Sequence, residues 1–92
     1  MKTILQHEKE CYVCKTPYVE DHHVFFGTGL RPLSEKYGLK VWLCYRHHRA
    51  KNTGVHHNKT LDTKIKQMAQ RKFETTHTRE EFMQIFGRNY LD

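Results

Sequence analysis

Two pairs of residues could close around one metal ion: Cys11-x2-Cys14 and, further along, Cys44-x2-His47. Structural zinc takes four Cys or His ligands, often as two such close pairs. A Cys-x2-Cys knuckle turns both sulfurs to one centre, and residues i and i+3 at a helix start share a face. Three thiolates and one imidazole then complete a tetrahedron and account for the odd count of three cysteines. His48 is the alternative fourth ligand.

A second constellation is built from histidine. His22 and His23 precede the apolar run Val24-Phe25-Phe26, and His48 directly follows His47. Side chains alternate faces along a strand, but at a strand end both can border one cleft. Asn52 is expected one helical turn beyond His48, on the same face. His56 and His57 follow in a turn after Gly54; they either extend this centre or lie on the surface. An imidazole can take a proton from water, and a divalent ion can polarise a phosphate.

The elements that must position these groups are short. Tyr18 to Phe26 predicts a strand, broken by Gly27-Thr28-Gly29. Leu30 to Gly38 reads as a loop with one helical turn at Ser34 to Tyr37. Leu39 to Leu43 predicts a second strand, and a helix is expected from Cys44 through Lys51, stopped near Gly54. Leu61, Ile65, Met68, Ala69 and Phe73 form one helical face, with Thr60 as the expected N-cap. Thr78-Arg79-Glu80-Glu81 is a capping box opening a last helix with Phe82, Ile85 and Phe86 inward and Gly87 at its end. Met1 to Glu10 is expected to be frayed or a short lead-in strand.

These elements make a single α+β domain over residues 1–92. Residues 11–57 carry the chemistry and 60–92 are helical support. The chain has 92 residues, of which 37% are hydrophobic, so the core is thin and a metal staple would strengthen it. No apolar run approaches a membrane span, and no export signal is read, so a reducing cytoplasm is the expected compartment. Sixteen basic residues against ten acidic give a net charge of +6, which points to a polyanion such as nucleic acid. Arg31, Lys36, Lys40, Arg46, Arg49 and Lys51 cluster around the histidines and could flank a phosphate backbone without reading sequence. Arg31, in the glycine-rich stretch after His23, is the candidate for holding the reacting phosphate.

The same residues resemble the HNH nuclease family, which has a treble-clef-like ββα-metal fold braced by zinc. The resemblance rests on His22-His23-Val24, on Leu43-Cys44, on His48 following the fourth zinc ligand, and on Asn52 beyond it. It implies that His23 is the general base. It also implies that His22 and His48, with Asn52 or His56, hold a catalytic Mg²⁺, Mn²⁺, Zn²⁺ or Ni²⁺. Two departures stand out: His47 replaces a cysteine ligand, and the family's middle Asn is missing, with Gly38-Leu39-Lys40 in its region. A narrower similarity involves Ser34-Glu35-Lys36-Tyr37-Gly38-Leu39, Gly54-Val55-His56 and Phe86-Gly87-Arg88-Asn89-Tyr90-Leu91. These segments resemble the phage recombination-enhancement, RecA-dependent nuclease family. That similarity implies a phage or prophage source and DNA within a RecA filament as substrate. The rival expectation is a non-catalytic zinc module that binds nucleic acid; a third is an adaptor at a recombination complex.

Overall fold

The chain runs β1 (Glu20–His23), α1 (Arg31–Tyr37), β2 (Lys40–Leu43), α2 (Tyr45–His48), α3 (Lys59–Phe73) and α4 (Arg79–Phe86) in the computed structural model, which describes residues 2–91. The architecture is α+β. β1 and β2 pair antiparallel, with Glu20 opposite Leu43 and His23 opposite Lys40. No helix among the described residues is long and apolar enough to cross a membrane.

Several elements differ from the sequence expectation. The first strand is shorter than Tyr18–Phe26 because Phe25 leaves the ladder. The Ser34 hydroxyl accepts from the Phe25 amide at 2.9 Å and donates to its carbonyl at 2.6 Å. A buried side chain thus satisfies backbone groups that strand pairing would otherwise satisfy. Ser34 belongs to α1, which fills most of the stretch read as a loop. Pro32 fits the first turn of α1, and Gly38 ends it at φ 69°, a left-handed position that suits glycine. Arg31 accordingly opens a helix instead of lying in a flexible loop.

α2 is one turn long, from Tyr45 to His48, and does not reach Lys51. Asn58, not Thr60, caps α3, its side chain accepting from the Leu61 amide. Thr78 and Glu81 form the expected capping box, and Gly87 ends α4. Met1 lies outside the described residues; among residues 2–10 there is no strand, and the segment is tied to the rest of the fold. Ile4 donates to the Gly38 carbonyl at 2.9 Å, and the Gln6 side chain accepts from the Trp42 amide at 2.7 Å.

The core lies between the hairpin and the last two helices. Ile65, Ala69 and Phe73 of α3 are buried, as are Phe82 and Phe86 of α4, all packed with Phe25, Val41 and Leu43. Phe25 meets Phe86 at 4.6 Å and Phe82 at 5.4 Å between ring centroids. Burying each such ring contributes roughly 1.5–3 kcal/mol. Phe25 sits two residues after His23, so this packing anchors the end of β1 that carries the histidines.

Candidate metal centres and cleft

Cys11, Cys14, Cys44 and His47 converge, their ligand atoms all within 4.8 Å of one another. The Cys11 and Cys44 sulfurs lie 3.7 and 3.3 Å from His47 Nδ1, and Cys14 Sγ is 3.7 Å from Cys44 Sγ. Zinc–ligand bonds of ~2.0–2.3 Å in a tetrahedron give edges of roughly 3.5–3.8 Å, so the donor set fits a zinc ion. Lys15, left-handed at φ 69°, closes the knuckle, and Tyr12 donates to the Trp42 carbonyl at 2.8 Å. Cys44 is the N-cap of α2, so Cys44 and His47 are presented from a single turn.

Charge also favours a cation here. Burial alone would push the Cys11 thiol up, but backbone hydrogen bonds from Cys14, Cys44 and Val13 and the His47 ring outweigh it and bring it down to about 6. The Cys44 thiol is pushed up, by burial and then by its hydrogen bonds with Cys14 and Cys11. A shared metal ion would resolve that crowding by holding the sulfurs as thiolates.

The second cluster is His22, His48 and His56. Their ring centroids form a near-equilateral triangle with sides of 5.0, 5.1 and 5.0 Å. His22 is 3% exposed, and its Nε2 is buried without a hydrogen-bond partner. A buried acceptor or donor left alone costs about 1–3 kcal/mol, whereas a metal ion would use it. Burial, followed by the charges of His48 and His56, holds the His22 imidazole down at about 3, in the neutral form that ligates metals.

Backbone geometry brings the third member in. Val55 donates to the His47 carbonyl at 2.7 Å, folding the loop back along α2 and setting His56 beside His48. Gly54 makes this return possible: a Cβ there would lie 2.7 Å from the His48 carbonyl oxygen and 2.8 Å from the Arg49 nitrogen. Glu20 was not anticipated, yet it orients the cluster. Its Oε1 accepts from His48 Nδ1 at 2.5 Å, and it also takes two bonds from Arg49. The His48 hydrogen bond, helped by Arg49, holds the Glu20 carboxyl below the usual carboxylate range. Glu20 and His22 share a strand face by their spacing of two, a signal present in the sequence.

A cleft of about 340 Å³ is lined by Asp21, His22, His23, Phe26, Gly27, Arg31, His48 and His56. Four expected site residues besides Arg31 therefore meet there: His22, His23, His48 and His56. His23 Nε2 lies 2.9 Å from Glu35 Oε1, a second unanticipated carboxylate.

Two expectations fail. Lys40 is not a phosphate contact: it is 2% exposed, and its Nζ is 2.7 Å from Glu35 Oε2. Both faces of β2 are covered, so strand alternation does not turn Lys40 outward. Asn52 is not among the residues lining the cleft. α2 ends before it, and Asn52 is exposed at φ 71°. Among the other basic residues, Arg31, Lys36, Arg46 and Lys51 are exposed, while Arg49 is engaged by Glu20. Comparison with protein families, curated proteins and solved structures gave no match.

Proposed function

We propose that the chain is a zinc-braced, metal-dependent DNA endonuclease of the HNH type, with a ββα-metal core. The observation that carries this reading is the convergence of the His22, His48 and His56 cluster, His23 and Arg31 on one cleft. A divalent ion held by the three imidazoles would supply Lewis acidity to the phosphate and to the leaving 3′ oxygen. His23 takes the proton from the attacking water. Arg31 holds a phosphate oxygen at the cleft mouth. Exposed Arg46 and Lys51 neutralise neighbouring phosphates without reading bases. Little sequence selectivity is expected. The similarity of segments such as Phe86 to Leu91 to the RecA-dependent phage nucleases makes a RecA–DNA filament the proposed substrate form.

The alternative, a non-catalytic zinc module for nucleic acid, needs only the knuckle and the exposed basic residues. It leaves the histidine cluster without a task. A plasmid-nicking assay with Mg²⁺, Mn²⁺, Zn²⁺ and Ni²⁺, on bare and RecA-coated DNA, separates the two. Wild-type cleavage that falls about 10²- to 10⁴-fold in His23→Ala, with DNA binding retained, supports the nuclease. Wild-type binding without cleavage under every condition supports the module.

A further inference from the structure

Lys40 is a buried cation whose side chain is engaged by a carboxylate that is itself largely exposed. A buried ammonium is costly unless it is paired, and an exposed surface pair contributes little to stability. The arrangement makes sense if the pair has a positional task. Glu35 projects from α1, Lys40 opens β2, and His23 ends β1 directly opposite Lys40 in the ladder. Three separate elements thus meet at one carboxylate. Its Oε2 accepts from Lys40 Nζ at 2.7 Å, and its Oε1 meets His23 Nε2 at 2.9 Å. A carboxylate only accepts, so Nε2 of a neutral His23 must carry the proton.

We propose that Glu35, clamped by buried Lys40, is a positioning residue that fixes His23 as the Nε2–H tautomer and leaves Nδ1 as the proton-accepting atom. The assignment rests on the hydrolytic reading for its consequence but not for its geometry. His23 lines the cleft, and Nδ1 is the ring nitrogen that Glu35 does not occupy. Lys40 holds Glu35 in one orientation: with Nζ claiming Oε2, the other oxygen is aimed at the ring.

The clamp makes an unusual prediction for the amide. In Glu35→Gln, Lys40 still demands an oxygen, so the amide NH₂ group turns to His23. That group donates, and it forces Nε2 to be the acceptor and Nδ1 to carry the proton. The base is then inverted, which costs about 10²- to 10⁴-fold in rate. Glu35→Ala leaves the ring free to sample both tautomers and should lose only about tenfold. A purely structural Glu35 would rank the variants the other way, because Gln preserves shape. The double variant Glu35→Gln/Lys40→Met frees the amide to rotate its oxygen to His23, and should recover at least tenfold over Glu35→Gln.

Ring-nitrogen NMR of ¹⁵N-histidine-labelled, zinc-loaded protein reads the tautomer without any activity. Protonated Nε2 in the wild type and protonated Nδ1 in Glu35→Gln are expected. The same tautomer in both proteins, or Gln cleaving as well as or better than Ala, overturns the proposal. If the wild type cleaves nothing, the nuclease reading falls and the ring spectrum alone decides the tautomer. Zinc content and circular dichroism confirm that each variant is folded. If Glu35→Ala, which leaves Lys40 unpaired, or the double variant does not fold, the ring spectra of the wild type and Glu35→Gln carry the decision.

Discussion

The two candidate metal clusters sit side by side yet are built on opposite plans. The knuckle offers three sulfurs and one nitrogen, which complete a tetrahedron among themselves. The cleft offers three nitrogens facing an open space of about 340 Å³. A closed, sulfur-rich set holds its ion and excludes substrate, whereas a three-ligand set with open positions admits water and phosphate. The carboxylates follow the same division: Glu20 and Glu35 both serve cleft histidines. The difference teaches that a closed and an open donor set can share one small hairpin region when their donor types are kept apart.

Removing the brace should have the largest effect. Cys11→Ser/Cys14→Ser should release zinc and unfold the N-terminal half, since such a site supplies on the order of 10 kcal/mol. Metal analysis and circular dichroism check this; a folded, zinc-free double variant would erase the distinction between the clusters. His48→Ala, by contrast, should keep the knuckle zinc and the fold.

Acid should come next, and it should act on the cleft first. The folded His22 sits at about 3, below its ordinary 6.5, so the unfolded chain binds more protons between those values. Stability that is full above pH 6.5 must therefore fall as the pH drops through that window, by a few kcal/mol in total. Denaturant midpoints measured from pH 7 to 5.5, with the knuckle zinc retained and the cleft free of metal, should decline. His22→Leu should flatten the decline; an unchanged slope would remove His22 as its cause.

A smaller effect is expected at Glu20. Losing a carboxylate that orients a histidine ligand weakens metal affinity by about 10- to 100-fold. Glu20→Ala should show this for a second equivalent of Zn²⁺ or Ni²⁺ in calorimetric titration, with the first equivalent unaffected. Equal weakening of both would mean that the two clusters are not separable. The smallest effect lies far from both. Thr78→Ala removes the α4 cap and should cost about 1 kcal/mol, with both metal affinities preserved.

The grouping of the candidate ligands was legible from spacing: Cys11, Cys14, Cys44 and His47 come together as two short pairs, and His22, His23, His48 and His56 meet at one cleft. The α3 and α4 faces were legible from their helical period. What the sequence hid was the work of polar residues facing inward. Ser34 and Glu35 lie on a helix without an apolar stripe, so only the last turn of α1 was read and its start passed as a loop. Lys40 looked like a surface cation because nothing in the pattern pairs it with Glu35 of α1. Asn52 was placed by extending α2, and helix length is set here by the Gly54 return instead of by a local stop signal.

The single turn of α2 carries His47 for one cluster and His48 for the other, on consecutive residues. Ordering that turn is a conformational cost common to both, and whichever ion arrives first meets it. A second ion would then bind a turn already set, so the two affinities would be linked by a coupling free energy that is equal in both directions. With an ion at each cluster the hairpin would be a two-ion cooperative unit: occupancy of the brace would tune the affinity of the cleft, and a filled cleft would raise the affinity of the brace by the same factor.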